Sequence, residues 1–336
     1  MVTAEVSSET VQSKCRVNCP RNELLDDQSI TMSQDRRPIP NEIRAFGKLI
    51  AAYAPYDGTF DLPVPGVHLM RASFAHKDLV HGVATPCLCL VAQGAKTTML
   101  GAEIYRYDEA TMLVYSIEVP VVAQVTRATP SAPFLCLRLD IDSRRLADLT
   151  TRAFPNGLVS SQNGGAVHVA APDLEIINAA ARLLRLMLQP DDIGLLAPII
   201  TDEILMRLLR GPLGIRVAQI GHAQSPLQRI NKAVAWIRDH FTEPLIVDDL
   251  ASSVHMSPST FHHHFRTTTS MSPLQYQKAL RLQEARRLML ASIHDANGAS
   301  KAVGYISASQ FSREYARMFG DAPSRDVARL RENASV

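Results

Sequence analysis

Met256-Ser257-Pro258-Ser259-Thr260-Phe261-His262-His263-His264-Phe265 and, further on, Ser307-Ala308-Ser309-Gln310-Phe311-Ser312-Arg313-Glu314-Tyr315 are built to one plan. A short helical stretch precedes each: Asp249-Leu250-Ala251 before the first, Ala299 to Val303-Gly304-Tyr305 before the second. Each runs out through a proline, at Met271-Ser272-Pro273 and at Phe319-Gly320-Asp321-Ala322-Pro323. Ser257 before Pro258 is an N-cap with Pro at the first helical position, and Ser307-x-x-Gln310 has the spacing of a capping box. In helix Pro258–Thr268, Phe261 and Phe265 share one face at i,i+4. That leaves Ser259, His262, His263 and Arg266 on the polar face opposite. In helix Ala308–Phe319, Phe311, Tyr315 and Phe319 turn inward and Ser309, Gln310, Arg313 and Arg317 outward. A single polar face is usually just solvated. A matched pair, each on the second helix of a helix-turn-helix, is the pattern of elements that enter the DNA major groove.

Caps and breakers complete a wholly helical C-terminal region with Leu227–Phe241, Val247–Val254, Leu274–Ala291, Asp295–Val303 and Ser324–Leu330. Charge divides in the same place. Residues 222–336 hold 14 Lys and Arg against 10 Asp and Glu, and 7 of the 11 histidines; residues 1–221 hold 21 against 23. Arginine supplies 28 of the 35 cations, and its planar fork suits phosphate and guanine.

Upstream the periodicity is different. Val67–Met70, Cys87–Ala92, Thr97–Leu100, Glu103–Tyr107, Thr111–Tyr115, Val121–Thr126 and Phe134–Leu139 read as short strands, with turns at Gly94-Ala95, Gly101-Ala102 and Thr129-Pro130. This spacing fits a small antiparallel barrel or sandwich. Amphipathic helices follow at Ser143–Thr151, Asp173–Leu188 and Ile193–Leu209, as core cover or as a dimer surface. Gly211-Pro212-Leu213-Gly214 breaks the pattern, and His222 to Pro226 reads as a linker. Residues 1–40 are polar, carry three prolines and read as a tail.

At 336 residues, 46% apolar and 20% charged, the chain has the composition of a globular protein with more than one core. No apolar run is long enough to span a bilayer and no secretory signal pattern opens the chain, so a cytoplasmic protein without membrane contact is expected. Five unevenly spread cysteines do not make a disulfide framework.

The C-terminal region resembles the DNA-binding domain of the AraC/XylS family of bacterial transcription regulators. Arg281-Leu282-x-x-Ala285-Arg286-x-Leu288, Val303-Gly304-Tyr305, Ser309-Gln310-Phe311-Ser312-Arg313-x-Tyr315 and Phe319-Gly320-x-x-Pro323-Ser324 carry the resemblance over about 100 residues. Cys87-Leu88-Cys89-Leu90-Val91-Ala92-Gln93-Gly94-Ala95-Lys96 and Gly101-x-x-x-Tyr105-x-Tyr107 resemble the regulatory domain of one subgroup, which implies a cupin-like barrel. The expected fold class is therefore α+β multidomain. A tail covers 1–40, a cupin-like β-barrel with C-terminal helices covers 41–220, and an all-α double helix-turn-helix covers 227–333.

By motif position the resemblance puts base-reading residues on Ser259, His262 and His263, and on Ser309, Gln310 and Arg313. Gln310 cannot cap its helix and read a base at once. The implied partners are double-stranded DNA, RNA polymerase for an activator, a small-molecule effector of the aldehyde type, and a second copy in a homodimer. No cofactor and no catalytic residue are implied. Two departures stand out. Ser270 occupies a position where the family has Gly, and Asp295, Asn297 and Gly298 fall in a helix that is apolar in the family, Gly298 costing about 1 kcal/mol against Ala.

Two other readings compete for the barrel. A metal-dependent cupin enzyme needs clustered His and Glu, yet no histidine lies between His81 and His168. His262, His263 and His264 diverge by about 100° each on a helix and cannot converge on one ion. No dinucleotide fingerprint, phosphate loop or HExxH is present. Alternatively the barrel serves dimerisation alone. Cys87 and Cys89, two apart on one strand, are either small buried apolar residues or effector-sensing thiols.

Overall fold

The computed structural model describes residues 40–75, 79–109, 111–158, 164–222 and 225–334. The expected tail, up to residue 39 and with Cys15 and Cys19 in it, lies outside the described residues.

Helix α1 (Asn41–Tyr53) is followed by β1 (Gly58–Asp61), β2 (Val67–Ala72), β3 (Val80–Ala84), β4 (Cys87–Gln93), β5 (Ala95–Leu100), β6 (Glu103–Asp108), β7 (Met112–Tyr115), β8 (Val119–Arg127) and β9 (Phe134–Asp140). Then come α2 (Ser143–Ala153), β10 (Val167–Ala170), α3 (Leu174–Arg185), α4 (Pro190–Arg210) and α5 (Gly214–Gly221). The remainder is α6 (Pro226–Asp239), α7 (Val247–Ser253), α8 (Pro258–Thr269), α9 (Pro273–Leu290), α10 (Ala296–Ala302), α11 (Ala308–Phe319) and α12 (Pro323–Ala334).

The strands pair antiparallel in two sheets, one ordered β1-β2-β9-β4-β7-β10 and the other β3-β8-β5-β6. Tyr115 joins them across the interior, its hydroxyl donating to Thr98 Oγ1 at 2.8 Å. The expected barrel is thus a flattened structure of two facing sheets. β4 reads as an unbroken apolar run because both its faces are covered: α1 packs on its outer side, and α3 on α1. Gly94 turns β4 into β5 at φ +84°, and a Cβ there would fall 2.6 Å from Arg127 O, so no other residue fits. No helix among the described residues is long and apolar enough to cross a membrane.

The core does not stop where the sheets do. One buried cluster runs from Phe46 and Leu88 through Ile204 and Val217 to Ile230, Leu250, Phe261, Phe265, Tyr276 and Leu280. A second, separate cluster contains Leu282, Ala285, Met289, Ala299, Val303, Phe311 and Tyr315. Polar contacts add to the first. Tyr276 donates its hydroxyl to the backbone oxygen of Glu118 at 2.9 Å, and Arg238 pairs with the Glu118 carboxylate at 2.9 Å. The Ala166 N–H donates to Thr268 O at 2.8 Å. Gln283 donates to Gly82 O at 3.2 Å. His81 sets its ring edge against Phe319 at 4.7 Å; burial, reinforced by the Arg286 charge and opposed by Asp326, lowers its pKa to about 4.

The second cluster is organised around a fully buried carboxylate. Asp326 accepts two hydrogen bonds from Arg286 at 2.8 Å each, one from Tyr315 at 2.9 Å and one from Arg329 at 2.8 Å. Burial alone would raise this carboxyl, but the hydrogen bonds from Arg286 and Tyr315 outweigh it and hold its pKa below the ordinary value. The stability that a depressed carboxyl contributes is present at neutral pH and is lost as pH falls through its folded-state pKa. Asp326→Ala should therefore cost about 3–5 kcal/mol, because Arg286 is left as a buried unpaired charge. Asp326→Asn should flatten the acid side of the stability profile. Urea titrations across pH measure both.

Candidate nucleic-acid interface

The two second helices, α8 and α11, form for the same local reasons. Ser257 Oγ accepts from the Thr260 N–H at 3.3 Å, and Ser307 Oγ accepts from the Gln310 N–H at 3.2 Å. Phe261 and Phe265 are fully buried with their rings 5.4 Å apart, as are Phe311 and Tyr315 at 5.5 Å. Phe319 departs from the expected burial. It is only partly covered, with Tyr315 on one side, the Arg286 guanidinium 4.4 Å from its ring centre, and His81 beyond.

The two units repeat at a constant interval of fifty residues. Ser257 matches Ser307, Phe261 matches Phe311, Phe265 matches Tyr315 and Pro273 matches Pro323. Ser259, His262, His263 and Arg266 are all exposed on α8, and Ser309, Gln310, Arg313 and Arg317 on α11. Among the described residues neither Arg313 nor Arg317 has an ion-pair partner. The repeat also reveals two positions that the sequence reading missed. Thr260 stands where Gln310 does and Thr267 where Arg317 does, and both are exposed. The fixed interval was the available signal.

The expected capping box at Ser307 is only half formed. The Gln310 amide donates instead to Glu314 Oε1 at 3.2 Å. Glu314 is held in place by Lys278 at 2.8 Å and by the Tyr305 hydroxyl at 2.7 Å. Burial opposes ionisation of Glu314, but these donors prevail and keep its pKa low. The complete box lies at α9, where Ser272 and Gln275 bond reciprocally.

The motif arginines upstream are structural. Arg281 donates to the backbone oxygens of Phe241, Gly304 and Glu243, tying α9 to the α6–α7 loop and to the turn of the second unit. Gly298 stands in the first turn of α10. Asp295 Oδ1 caps the Gly298 N–H at 2.6 Å, and a Cβ at 298 would crowd that oxygen at 3.1 Å.

Cys87 and Cys89 are buried free thiols on the inner face of β4; Cys136 on β9, which the sequence reading passed over, is a third. Among the described residues no group of three His, Cys, Asp or Glu side chains could hold a metal ion.

A family model described as AraC-type transcriptional regulator N-terminus matches residues 63–216, and a helix-turn-helix domain model matches residues 250–329. The HTH-type transcriptional activator RhaS of Salmonella typhimurium is 26% identical over 157 residues, covering 47% of this chain and 56% of RhaS. The chain thus spans about half the length of the curated relatives it matches. The crystal structure of ToxT from Vibrio cholerae covers 78% of this chain and 96% of its own at 8% identity and a TM-score of 0.47. The DNA-binding domain of AdpA, solved with a target DNA, covers 31% of this chain and 95% of its own at 28% identity and a TM-score of 0.30.

The turns of the two units differ in backbone chemistry. The second uses Gly304 at φ +85° and Gly320 at φ +86°, whereas the first places His255 at φ +55° and Ser270 at φ +57°. Ser270→Gly should raise stability by about 1 kcal/mol by relieving a left-handed side-chain conformation. Gly304→Ala should unfold the second unit, since its Cβ would fall 2.2 Å from Thr242 O. Circular dichroism during urea titration follows each change.

Proposed function

The chain belongs to the AraC/XylS family of transcription regulators, and from that premise we propose that it binds DNA sequence-specifically through α8 and α11 and activates transcription with RNA polymerase as its partner. The repeat carries this reading: two capped helices fifty residues apart, each with its aromatic side buried and a polar side in solvent. Residues 227–333 are the DNA-binding part and residues 41–220 the effector-sensing part, with no catalytic role for either. Arg313 takes guanine O6 and N7 as a fork, and Gln310 contacts adenine. Ser259, His262 and His263 read the first box, Ser309 contributes to the second, and Arg266 and Arg317 lie beside the phosphates. The effector is a small electrophile, such as an aldehyde, held between the sheets. Its occupancy reaches the readers through the Tyr276–Glu118 and His81–Phe319 contacts.

Helix α4 supports a homodimer. Leu195 is 72% exposed and Ile199 65%, adjacent turns on one apolar face. Ile199→Glu should therefore shift the protein toward monomer in sedimentation at micromolar concentration.

The 18 residues of α9 span about 27 Å, against about 34 Å between successive major-groove entries. With the width of each unit added, one monomer covers two boxes about ten base pairs apart. Arg313→Ala should cost about 1–3 kcal/mol on the specific site and far less on unrelated DNA. Inserting five base pairs between the boxes turns one to the opposite face and should remove the two-box advantage. Gel-shift titrations read both; equal losses on specific and unrelated DNA would make Arg313 a phosphate contact.

A further inference from the structure

Glu314 lies one turn after Gln310 on α11 and is not among the residues offered to DNA; its side chain is only 13% exposed. Three donors converge on it. The Gln310 amide donates to Oε1 at 3.2 Å, Lys278 of α9 donates to the same oxygen at 2.8 Å, and the Tyr305 hydroxyl donates to Oε2 at 2.7 Å. Tyr305 is itself fixed. Its buried ring stands edge-on to Phe311 at 5.3 Å, with the Arg281 guanidinium 5.9 Å from the ring centre. The carboxylate is therefore held from α9 and from the turn before α11, while Gln310 stands exposed beside it. The first unit has no carboxylate and amide at the matching positions: Thr260 and His264 occupy them, fifty residues earlier.

An ionised carboxylate only accepts hydrogen bonds. It holds the Gln310 amide by an N–H and not by the oxygen, so the contact fixes which way round the amide is turned. A side-chain amide has two N–H bonds and one oxygen. With one N–H spent on Glu314, Gln310 has Oε1 and one N–H left, an acceptor and a donor side by side. Adenine offers the major groove its N6 amino group as donor and N7 as acceptor, which that pair matches. Guanine offers O6 and N7, both acceptors, so Oε1 would meet O6 and be repelled. The last torsion of a glutamine side chain is otherwise broad. An amide free to turn over would present an N–H to O6.

We infer that Glu314, held by Lys278 and Tyr305, is a positioning residue that sets the Gln310 amide for adenine and against guanine in the second box. The inference rests on the reading of Gln310 as a base contact and deepens it by naming what decides its preference.

The full chain is first used to select its site from a random duplex library, and gel-shift titrations then compare the four base pairs at each position of that site. Gln310→Ala marks the position that Gln310 reads, and Arg313→Ala marks the position of Arg313. Glu314→Gln is the test, because an amide at 314 both donates and accepts and so satisfies Gln310 either way round. The adenine-over-guanine affinity ratio at the Gln310 position should fall by about tenfold, and the preference at the Arg313 position should stay. The ratio is the readout because removing a carboxylate strengthens binding to any duplex. An unchanged ratio overturns the inference, as does a base other than adenine preferred at that position by the unaltered chain. Equal losses at the Arg313 position also overturn it, by making Glu314 a support for α11 as a whole. If Gln310→Ala alters the preference at no position, the reading of Gln310 as a base contact falls as well. If Gln310→Ala alters it and Glu314→Gln does not, that reading stands and the positioning role alone falls.

Discussion

Helix α9 is buried on more than one side. Tyr276 and Leu280, in its first half, belong to the core that runs back through the sheets, and Leu282, Ala285 and Met289, in its second half, belong to the separate core of the second unit. The same helix carries Arg281 and Arg286, whose guanidinium groups hold the loop after α6 and the Asp326 carboxylate. It cannot rotate about its axis without breaking one core or the other. The positions of α8 and α11 therefore follow from where α9 lies, and α9 lies where the Glu118 turn and β3 hold it.

This division of labour explains what the conspicuous residues of the C-terminal region do. Of the three arginines that carry the family resemblance, Arg281 and Arg286 point inward and bind carbonyl or carboxylate oxygens, and Arg313 faces solvent together with Arg266 and Arg317. The surplus of basic residues after position 222 is therefore partly internal. Of the two units, the second has the tighter polar centre, with four hydrogen bonds converging on Asp326. The first has Tyr276 at the matching position and uses its hydroxyl to reach the sheets instead.

Most of the C-terminal half was legible because its signals are local: a serine cap, a proline after it, and aromatics four apart fix α8 and α11 without reference to anything distant. The outward placement of the eight polar residues on α8 and α11 followed from the same arithmetic. Strands with clear β-branched runs were legible too. β3 was not, because Val80-His81-Gly82-Val83-Ala84 contains a glycine and little alternation, and it is defined by pairing with β8. β1 and β10 are four residues each and exist through their partners. α1 was missed although Ile43, Phe46, Gly47 and Ile50 carry helical spacing, because the reading assigned no element between the tail at 1–40 and the first strand-like segment. Gly214 looked like a breaker and instead starts α5, where a Cβ would collide with Leu209 O. The capping box shows the limit of local rules. Ser-x-x-Gln occurs at 225–228, 272–275 and 307–310, and the box closes at 272–275, while the Gln228 amide goes to Ile220 O and the Gln310 amide to Glu314. The His81–Phe319 contact joins residues 238 positions apart and left no local trace.

The split between the two apolar clusters has a consequence for how the protein comes apart. Cooperative units of unfolding follow shared cores, not the order of motifs along the chain. The first helix-turn-helix shares its core with the sheets, so its backbone amides exchange with solvent only when the larger body opens. The second has a small core of its own around Asp326 and opens at lower free energy. The seam of partial unfolding then lies inside α9, near Arg281, and a chain fluctuating under mild stress opens its second unit while the first stays folded.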